Sequence, residues 1–302
     1  MSYRPTSLPL PAFRGRARQL IVATLALSIS GAEAVAVEQA ETITLVGIAR
    51  DFADQHPDFG NLSGDHGGLI TGIVDTQLAD NANPQFTPDG RKVIHEAEDA
   101  QGRSIAPHLT DISLGDTPAD IGPENRGGVQ SESSFAGWFT DQLGLNLSAQ
   151  VDITFQPIGD GVFVFDTGED SLYSERGGFF PIDNMLYGND RTGGGRHNTS
   201  FSFELHAGFT YRADMNQFIE VNGNSEVWVY IDGRLVIDLG GIRPSDSRGQ
   251  YVDLNRLGLE DGSHHTFSLF IANRHRGTPN FRLETNVLLD GAQPMSVTAT
   301  FD

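Results

Sequence analysis

Residues 218–241, FIEVNGNSEVWVYIDGRLVIDLGG, constrain the fold more than any other part of this chain. Asp232 and Gly233 stand between two apolar runs. A two-residue Asp-Gly loop suits the hairpin turn whose central residues both take positive φ and whose twist matches that of the flanking strands. Counting outward from it pairs Ile231 with Arg234, Tyr230 with Leu235, Val229 with Val236, Trp228 with Ile237 and Val227 with Asp238. Trp228, Tyr230, Leu235 and Ile237 then share one face, while Val227, Val229, Ile231 and Val236 share the other. A hairpin apolar on both faces needs cover on both, so it belongs inside a sandwich or barrel. Both aromatic rings are expected in the core rather than open as sugar platforms.

Alternation dominates the rest of the second half. Residues 152–155, 162–166, 201–205, 217–221, 266–272 and 281–285 read as further strands, separated by Gly-rich turns. Nearer the start, residues 43–49 form a first strand and residues 51–55 turn helical before Pro57 stops them. The stretch 60–130 is rich in Gly, Asp, Pro and Asn and reads as long loops with short strands such as 70–74. Phe135, Trp138, Phe139 and Leu143 recur at helical spacing behind Ser133 and Ser134, giving one short amphipathic helix with Trp138 in the core. The fold class is therefore all-β, a two-sheet antiparallel sandwich or barrel with long loops and one short helix.

Arg4, Arg14, Arg16 and Arg18 precede an apolar run at 20–29 and then Ala32-Glu33-Ala34, the pattern of an export signal over residues 1–34. The run is well short of the roughly 20 residues that span a bilayer, so cleavage after Ala34, or alternatively Ala36, is expected rather than an anchor. The exported product is secreted, periplasmic or held at the cell surface. It has no cysteine, which excludes disulfides, thiolate zinc sites and a catalytic thiol. The net charge of the full chain, -20, disfavours nucleic acid and anionic membranes as partners.

The motifs of the hairpin resemble the signature of the fibro-slime domain, in the protective-antigen-like clan of extracellular carbohydrate-binding domains. Further matches lie at Arg50-Asp51-Phe52, at Phe179-Phe180-Pro181-Ile182-Asp183, at His197-Asn198 with Phe201 to His206, and at Leu269 to His275. Asn280-Phe281-Arg282-Leu283-Glu284-Thr285-Asn286 completes the series. The resemblance implies a fibro-slime domain over 43–290, with long loops at 60–130, a sandwich core at 131–290 and a tail at 291–302.

In lectin members of the clan, paired aspartates joined by a cis peptide hold calcium just before the core hairpin. The matching loop here is Asn222-Gly223-Asn224-Ser225-Glu226, with Asn224 and Ser225 in place of the two acids. Calcium wants 6 to 8 oxygen ligands and charge compensation, so the loss of two carboxylates argues for a simple turn, with a weak site at Asn224 and Glu226 as the alternative. The second candidate loop is Asn273-Arg274-His275, which could hydrogen-bond a sugar or pin its own backbone. Together Asn222, Asn224, Ser225, Glu226, Asn273, Arg274 and His275 form the candidate ligand site. No cofactor is called for apart from that weak calcium.

His197, His206, His264, His265 and His275 lack the spacing of a zinc site, and His264-His265 reads as part of an exposed turn. No nucleophile elbow, phosphate loop or dinucleotide fingerprint occurs, so no catalytic residue is assigned. The expected role is noncatalytic, in surface adhesion or recognition of an extracellular polysaccharide or glycan. The alternative is a structural matrix or envelope protein that binds another surface protein and no sugar. The mature N-terminus is expected at Val35, or Val37 for the second cleavage site, and N-terminal sequencing of exported protein checks it. An intact Met1 on that material would refute cleavage.

Overall fold

The computed structural model describes residues 42–53, 55–59, 67–190, 195–244, 246–275 and 277–291. The export segment 1–34 and tail residues 292–302 lie outside these. Among the described residues one large antiparallel sheet dominates. Its strands are β1 (Ile43–Phe52), β7 (Asn146–Gly159), β8 (Val162–Asp166), β9 (Phe201–Thr210), β10 (Phe218–Gly223), β11 (Glu226–Ile231), β12 (Arg234–Leu239), β13 (Gln250–Asp253), β14 (His264–Asn273) and β15 (Phe281–Thr285). They run in the order β12-β11-β14-β9-β1-β7-β8-β15-β10-β13, and β16 (Asp290–Gly291) pairs on β9 beside this path. Shorter strands β2 (Ile70–Thr71), β3 (Arg91–His95), β4 (Ala97–Glu98), β5 (Ser104–Ile105) and β6 (Asp120–Glu124) lie in the preceding segment. The expected all-β class holds, as a sheet nearly closed into a barrel.

The sheet turns its corner on β7. Residues 146–155 of that strand pair with β1, and its last residues pair with β8. The sheet folds over one core that takes Phe155, Phe165, Phe179, Phe201, Phe203 and Phe209 with the aliphatic side chains of the inner faces. Its two end strands meet through a side chain. The buried Gln250 carboxamide of β13 accepts from Asp238 N at 2.7 Å and donates to Asp238 O at 3.0 Å, so one amide does for β12 what a neighbouring strand's peptide would do.

The turn of the β11-β12 hairpin is as expected, with φ of 49° at Asp232 and 76° at Gly233. Its register is not. Ile231 pairs with Arg234 and Tyr230 with Leu235, but Val229 then pairs with Ile237, Trp228 with Asp238 and Val227 with Leu239. A β-bulge at Val236 inserts one residue and moves everything beyond it to the opposite face. Ile237 therefore joins Val227, Val229, Ile231 and Val236 in the barrel core, rather than Trp228 and Tyr230. Asp238 takes the vacated outer position. There its buried carboxylate accepts from Trp228 Nε1 (3.2 Å), Thr71 Oγ1 (2.6 Å) and Gly72 N (2.8 Å).

That outer face is covered by the segment read as long loops. Ile70, Ile73, Val74, Val129, Phe135 and Trp138 pack on Trp228, Tyr230, Leu235 and Phe270 in a second apolar cluster. Tyr230 Oη donates to Asp75 O at 3.0 Å, and His108 Nε2 donates to Leu235 O at 2.9 Å. Trp138 is fully buried, and its Nε1 donates to Asp58 Oδ2 at 3.0 Å.

Four local expectations change. Asp51 and Phe52 continue β1 instead of turning helical, because they pair with Leu147 and Asn146 on β7 and that pairing overrides local preference. Helix α1 (Glu132–Phe135) is a single turn capped by Ser131 rather than Ser133 or Ser134, and Leu143 is fully exposed. A second helix, α2 (Ser171–Arg176), starts at Asp170, whose carboxylate accepts from Leu172 N and Tyr173 N, and stops at Gly177. His264 and His265 belong to β14 rather than a turn. His265 Nδ1 lies 2.6 Å from Asp232 Oδ2, so the hairpin turn is tied to the neighbouring strand.

Trp228→Ala should cost about 3–5 kcal/mol, since it removes a fully buried ring from a packed cluster. Gly233→Val should cost about 1–2 kcal/mol from backbone strain alone, because nothing stands within 4 Å of an added Cβ. Chemical denaturation measures both, and a parental midpoint for Trp228→Ala would refute its burial.

Candidate functional site

The loop between β10 and β11 and the chain after β14 come together, as the candidate residues require. Most of them are consumed by the fold. Asn224 Nδ2 donates to Thr278 O at 2.8 Å and its Oδ1 accepts from Asn280 N at 2.9 Å. Ser225 Oγ donates to Asn273 Oδ1 at 2.8 Å, and Asn273 Nδ2 donates to Thr199 O at 2.8 Å. Glu226 and Arg274 form a buried two-point ion pair, Nε to Oε2 at 2.6 Å and Nη2 to Oε1 at 2.5 Å. Arg274 Nη2 also donates to Gly127 O at 2.6 Å, and its guanidinium lies 4.5 Å from the centroid of the Trp138 ring. The pair thus fastens the covering segment to the barrel. Nearby, burial pulls the Arg243 guanidinium down to about 10, against the opposing pull of Glu96, Glu226 and Asp238, so it stays charged at neutral pH.

Asn224, Ser225, Glu226, Asn273 and Arg274 are all buried, so none of them presents a surface to a ligand. Asn222 and His275 are half-buried. Asn222 lies on the outer face of β10, where alternation turns Ile219 and Val221 into the core and Phe218, Glu220 and Asn222 outward. It lines two adjoining cavities. One, of about 230 Å³, lies toward β13 and is bounded by Arg103, Glu220, Arg248 and Tyr251. The other, of about 170 Å³, lies toward β15 and is bounded by Asp166, Ser247, Asn280 and Arg282.

The polar groups of this face are held in place. Glu220 accepts from Asn222 Nδ2 at 3.1 Å. Arg103 pairs with Asp99 at 2.6 Å and lies 3.7 Å over the Tyr251 ring, which stacks on Phe218 at 5.4 Å between centroids. Burial raises the Tyr251 phenol above its usual value of 10, so at neutral pH it is an uncharged donor and acceptor. Arg248 pairs with Glu98 at 2.6 Å and donates to Gly102 O at 2.7 Å. Arg282 pairs with Asp166 at 3.2 Å and with Glu284. The close approach of the 247–249 chain to Asn222 needs Gly249, where a Cβ would stand 2.0 Å from Val221 O and 2.4 Å from Asn222 Oδ1.

Sequence reasoning found Asn222 and missed Arg103, Arg248, Tyr251 and Arg282. Arg103 reaches the face from a segment more than a hundred residues away, which no local spacing reveals. Tyr251 and Arg282 follow strand alternation, and that alone was the available signal. Among the described residues no group of three or more His, Asp or Glu side chains is arranged to hold a metal ion. No helix among them is long and apolar enough to cross a membrane.

Residues 181–296 match the PA14 domain, a span that includes Asn224, Ser225, Glu226, Asn273 and Arg274 of the buried network and Asn222, Arg248, Tyr251 and Arg282 of the outer face, while Arg103 and Asp166 lie before it. The chain is also similar to proteins of Dictyostelium discoideum. Protein psiC is 31% identical over 169 residues, covering 53% of this chain and 30% of that protein. Protein psiE is 32% identical over 182 residues, covering 57% and 34%. Protein psiN is 31% identical over 237 residues, covering 71% and 30%. The chain thus spans about a third of the length of these relatives. Among solved structures, an anti-sigma factor domain-containing protein from Clostridium clariflavum is 17% identical with a TM-score of 0.25, over 32% of this chain and 34% of that one. A likeness that low carries no argument.

Asn224→Asp would set a carboxylate oxygen where Nδ2 now donates to Thr278 O, at a cost of about 1–3 kcal/mol for the lost bond and the repulsion that replaces it. In the double variant Asn224→Asp/Ser225→Asp, calcium should restore the midpoint of thermal unfolding by bridging the added oxygens, and should leave the parent unchanged. Calcium titration by calorimetry completes the check. Micromolar binding by the parent that Asn224→Ala abolishes would refute this account of the loop.

Proposed function

We propose that this protein is exported and acts without catalysis at or outside the cell surface, recognising carbohydrate in adhesion. The observation that carries the proposal is the PA14 match, to a carbohydrate-binding-like family, over residues 181–296, which include Asn222, Arg248, Tyr251 and Arg282 of the face. The finer assignment to the fibro-slime type rests on the motifs of the hairpin and of the strands after it. The face offers guanidinium, carboxylate, carboxamide and phenol groups in two shallow cavities, the mixture of donors and acceptors that sugar hydroxyls need.

One side of the Tyr251 ring is taken by Arg103, so hydrogen bonds rather than stacking would carry recognition. Such contacts replace bonds to water and yield little net affinity each. Weak single sites are consistent with adhesion, in which many copies engage one surface and avidity multiplies the affinity of each. Calcium contributes little in this reading, since the polar atoms of Asn224 and Ser225 are engaged by the protein itself. No catalytic role is assigned to the acids of the face, because Asp166 and Glu284 are paired with Arg282 and Glu220 accepts from Asn222.

A glycan array probed with the exported protein, in calcium and in chelator, tests the proposal. Binding to a limited set of glycans, similar in both conditions, is expected. Binding confined to calcium would refute the calcium-independent site, and capture of surface proteins stripped of glycan would favour a structural role.

A further inference from the structure

We propose that the Asn222 face binds a neutral oligosaccharide of at least two sugar units, one ring in each cavity, with the glycosidic link crossing over Asn222. This rests on the carbohydrate reading above and adds the length and charge class of the ligand.

Length follows from how the cavities are joined. Both are lined by Asn222, and the consecutive residues Ser247 and Arg248 line one each, so they adjoin across a single side chain and one short run of backbone. Each is smaller than the roughly 300 Å³ at which pockets for drug-sized ligands begin, so each suits a single ring. Gly249 allows this chain to lie against Asn222, and a Cβ there would collide with both the β10 backbone and the Asn222 carboxamide. The shared wall is thus fixed by the main chain. Asn222 gives its Nδ2 to Glu220, which fixes the carboxamide on the line between the two cavities.

Charge class follows from the pairing of the ionic groups. Arg103 and Arg248 are matched by Asp99 and Glu98, while Arg282 is shared between Asp166 and Glu284. Glu220 has no cationic partner among the described residues and stands directly across from Glu284. Like charges opposite one another on a sheet are unfavourable, and they leave this face net acidic on a chain already carrying -20. A uronate, sialylated or sulfated glycan would bring further negative charge against Glu220 and Glu284. Neutral hydroxyls can donate to those same carboxylates and accept from the guanidinium groups.

The test uses the exported protein and immobilised gluco-, galacto-, manno- and xylo-oligosaccharides of one to four units, beside oligogalacturonates and sialylated glycans. The best series is then measured by calorimetry. Affinity should rise at least tenfold from one unit to two, with little further gain beyond, and acidic series should bind at least tenfold more weakly than neutral ones. Ser247→Trp, which fills the second cavity from its rim, should bring the longer ligands down to the affinity of the single sugar. Asn222→Ala should weaken the disaccharide at least fivefold with its thermal midpoint close to the parent's. A single sugar bound as tightly as its dimer, preference for acidic glycans, or parental binding by both variants would overturn this inference and leave the carbohydrate reading standing. Failure of the folded parent to bind any glycan would overturn both.

Discussion

A hairpin that is apolar on both faces cannot lie at the surface, and the architecture follows from hiding it. The inner face of β11-β12 closes on the barrel core, and the outer face, with Trp228, Tyr230 and Leu235, is closed by residues from the segment before β7. Burial of each large side chain is worth about 1.5–3 kcal/mol, so uncovering the outer face would forfeit a sizeable fraction of the stability of an ordinary domain. The covering segment is held by polar anchors as well. Asp238 binds Thr71 and Gly72, Arg274 binds Gly127, and His108 binds Leu235. The bulge at Val236 makes the first of these possible, because without it Asp238 would face the barrel core.

A recurrent device in this cysteine-free chain is the buried carboxamide that stands in for a peptide group. Gln250 joins the two end strands of the sheet, and Asn224 does the same for the chain at Thr278 and Asn280. Asn146 accepts from Gln142 N and donates to Gly137 O and Thr140 O. Each such bond adds only about 1 kcal/mol net, but an unmatched donor or acceptor at a buried position costs more than that. A carboxamide matches both with one side chain. This gives a physical reason for the Asn at position 224. The loop is closed by neutral hydrogen bonds between side chain and backbone.

The consequence for function is a shift of the accessible chemistry by a few residues. Glu226 and Arg274 resemble a binding pair in sequence because both are charged and both flank a core strand. Their tertiary role is to neutralise each other out of contact with solvent. A buried pair of this kind is weak evidence for net stability, but it leaves neither partner available to a ligand. What remains in contact with solvent is the outer face of β8-β15-β10-β13, where the period of two turns Glu220, Asn222, Arg282 and Tyr251 outward.

The sequence by itself determined the all-β class, the Asp232-Gly233 turn, the strands of the second half other than β13 and β16, and the burial of Trp138, Trp228 and Tyr230. All of these depend on local periodicity or on turn chemistry within a few residues. Only the tertiary structure decided the bulge at Val236, because one inserted residue leaves the apolar pattern of both strands intact. It also decided the continuation of β1 through Asp51 and Phe52, which is set by pairing to β7, and the role of residues 67–130, whose few apolar side chains show no period until they meet the hairpin. Asn222 was legible as a polar residue of a candidate ligand loop, although the structure places it on β10. Its neighbours Arg103 and Arg248 were not, because they come from stretches of chain that only the closing of the barrel brings together.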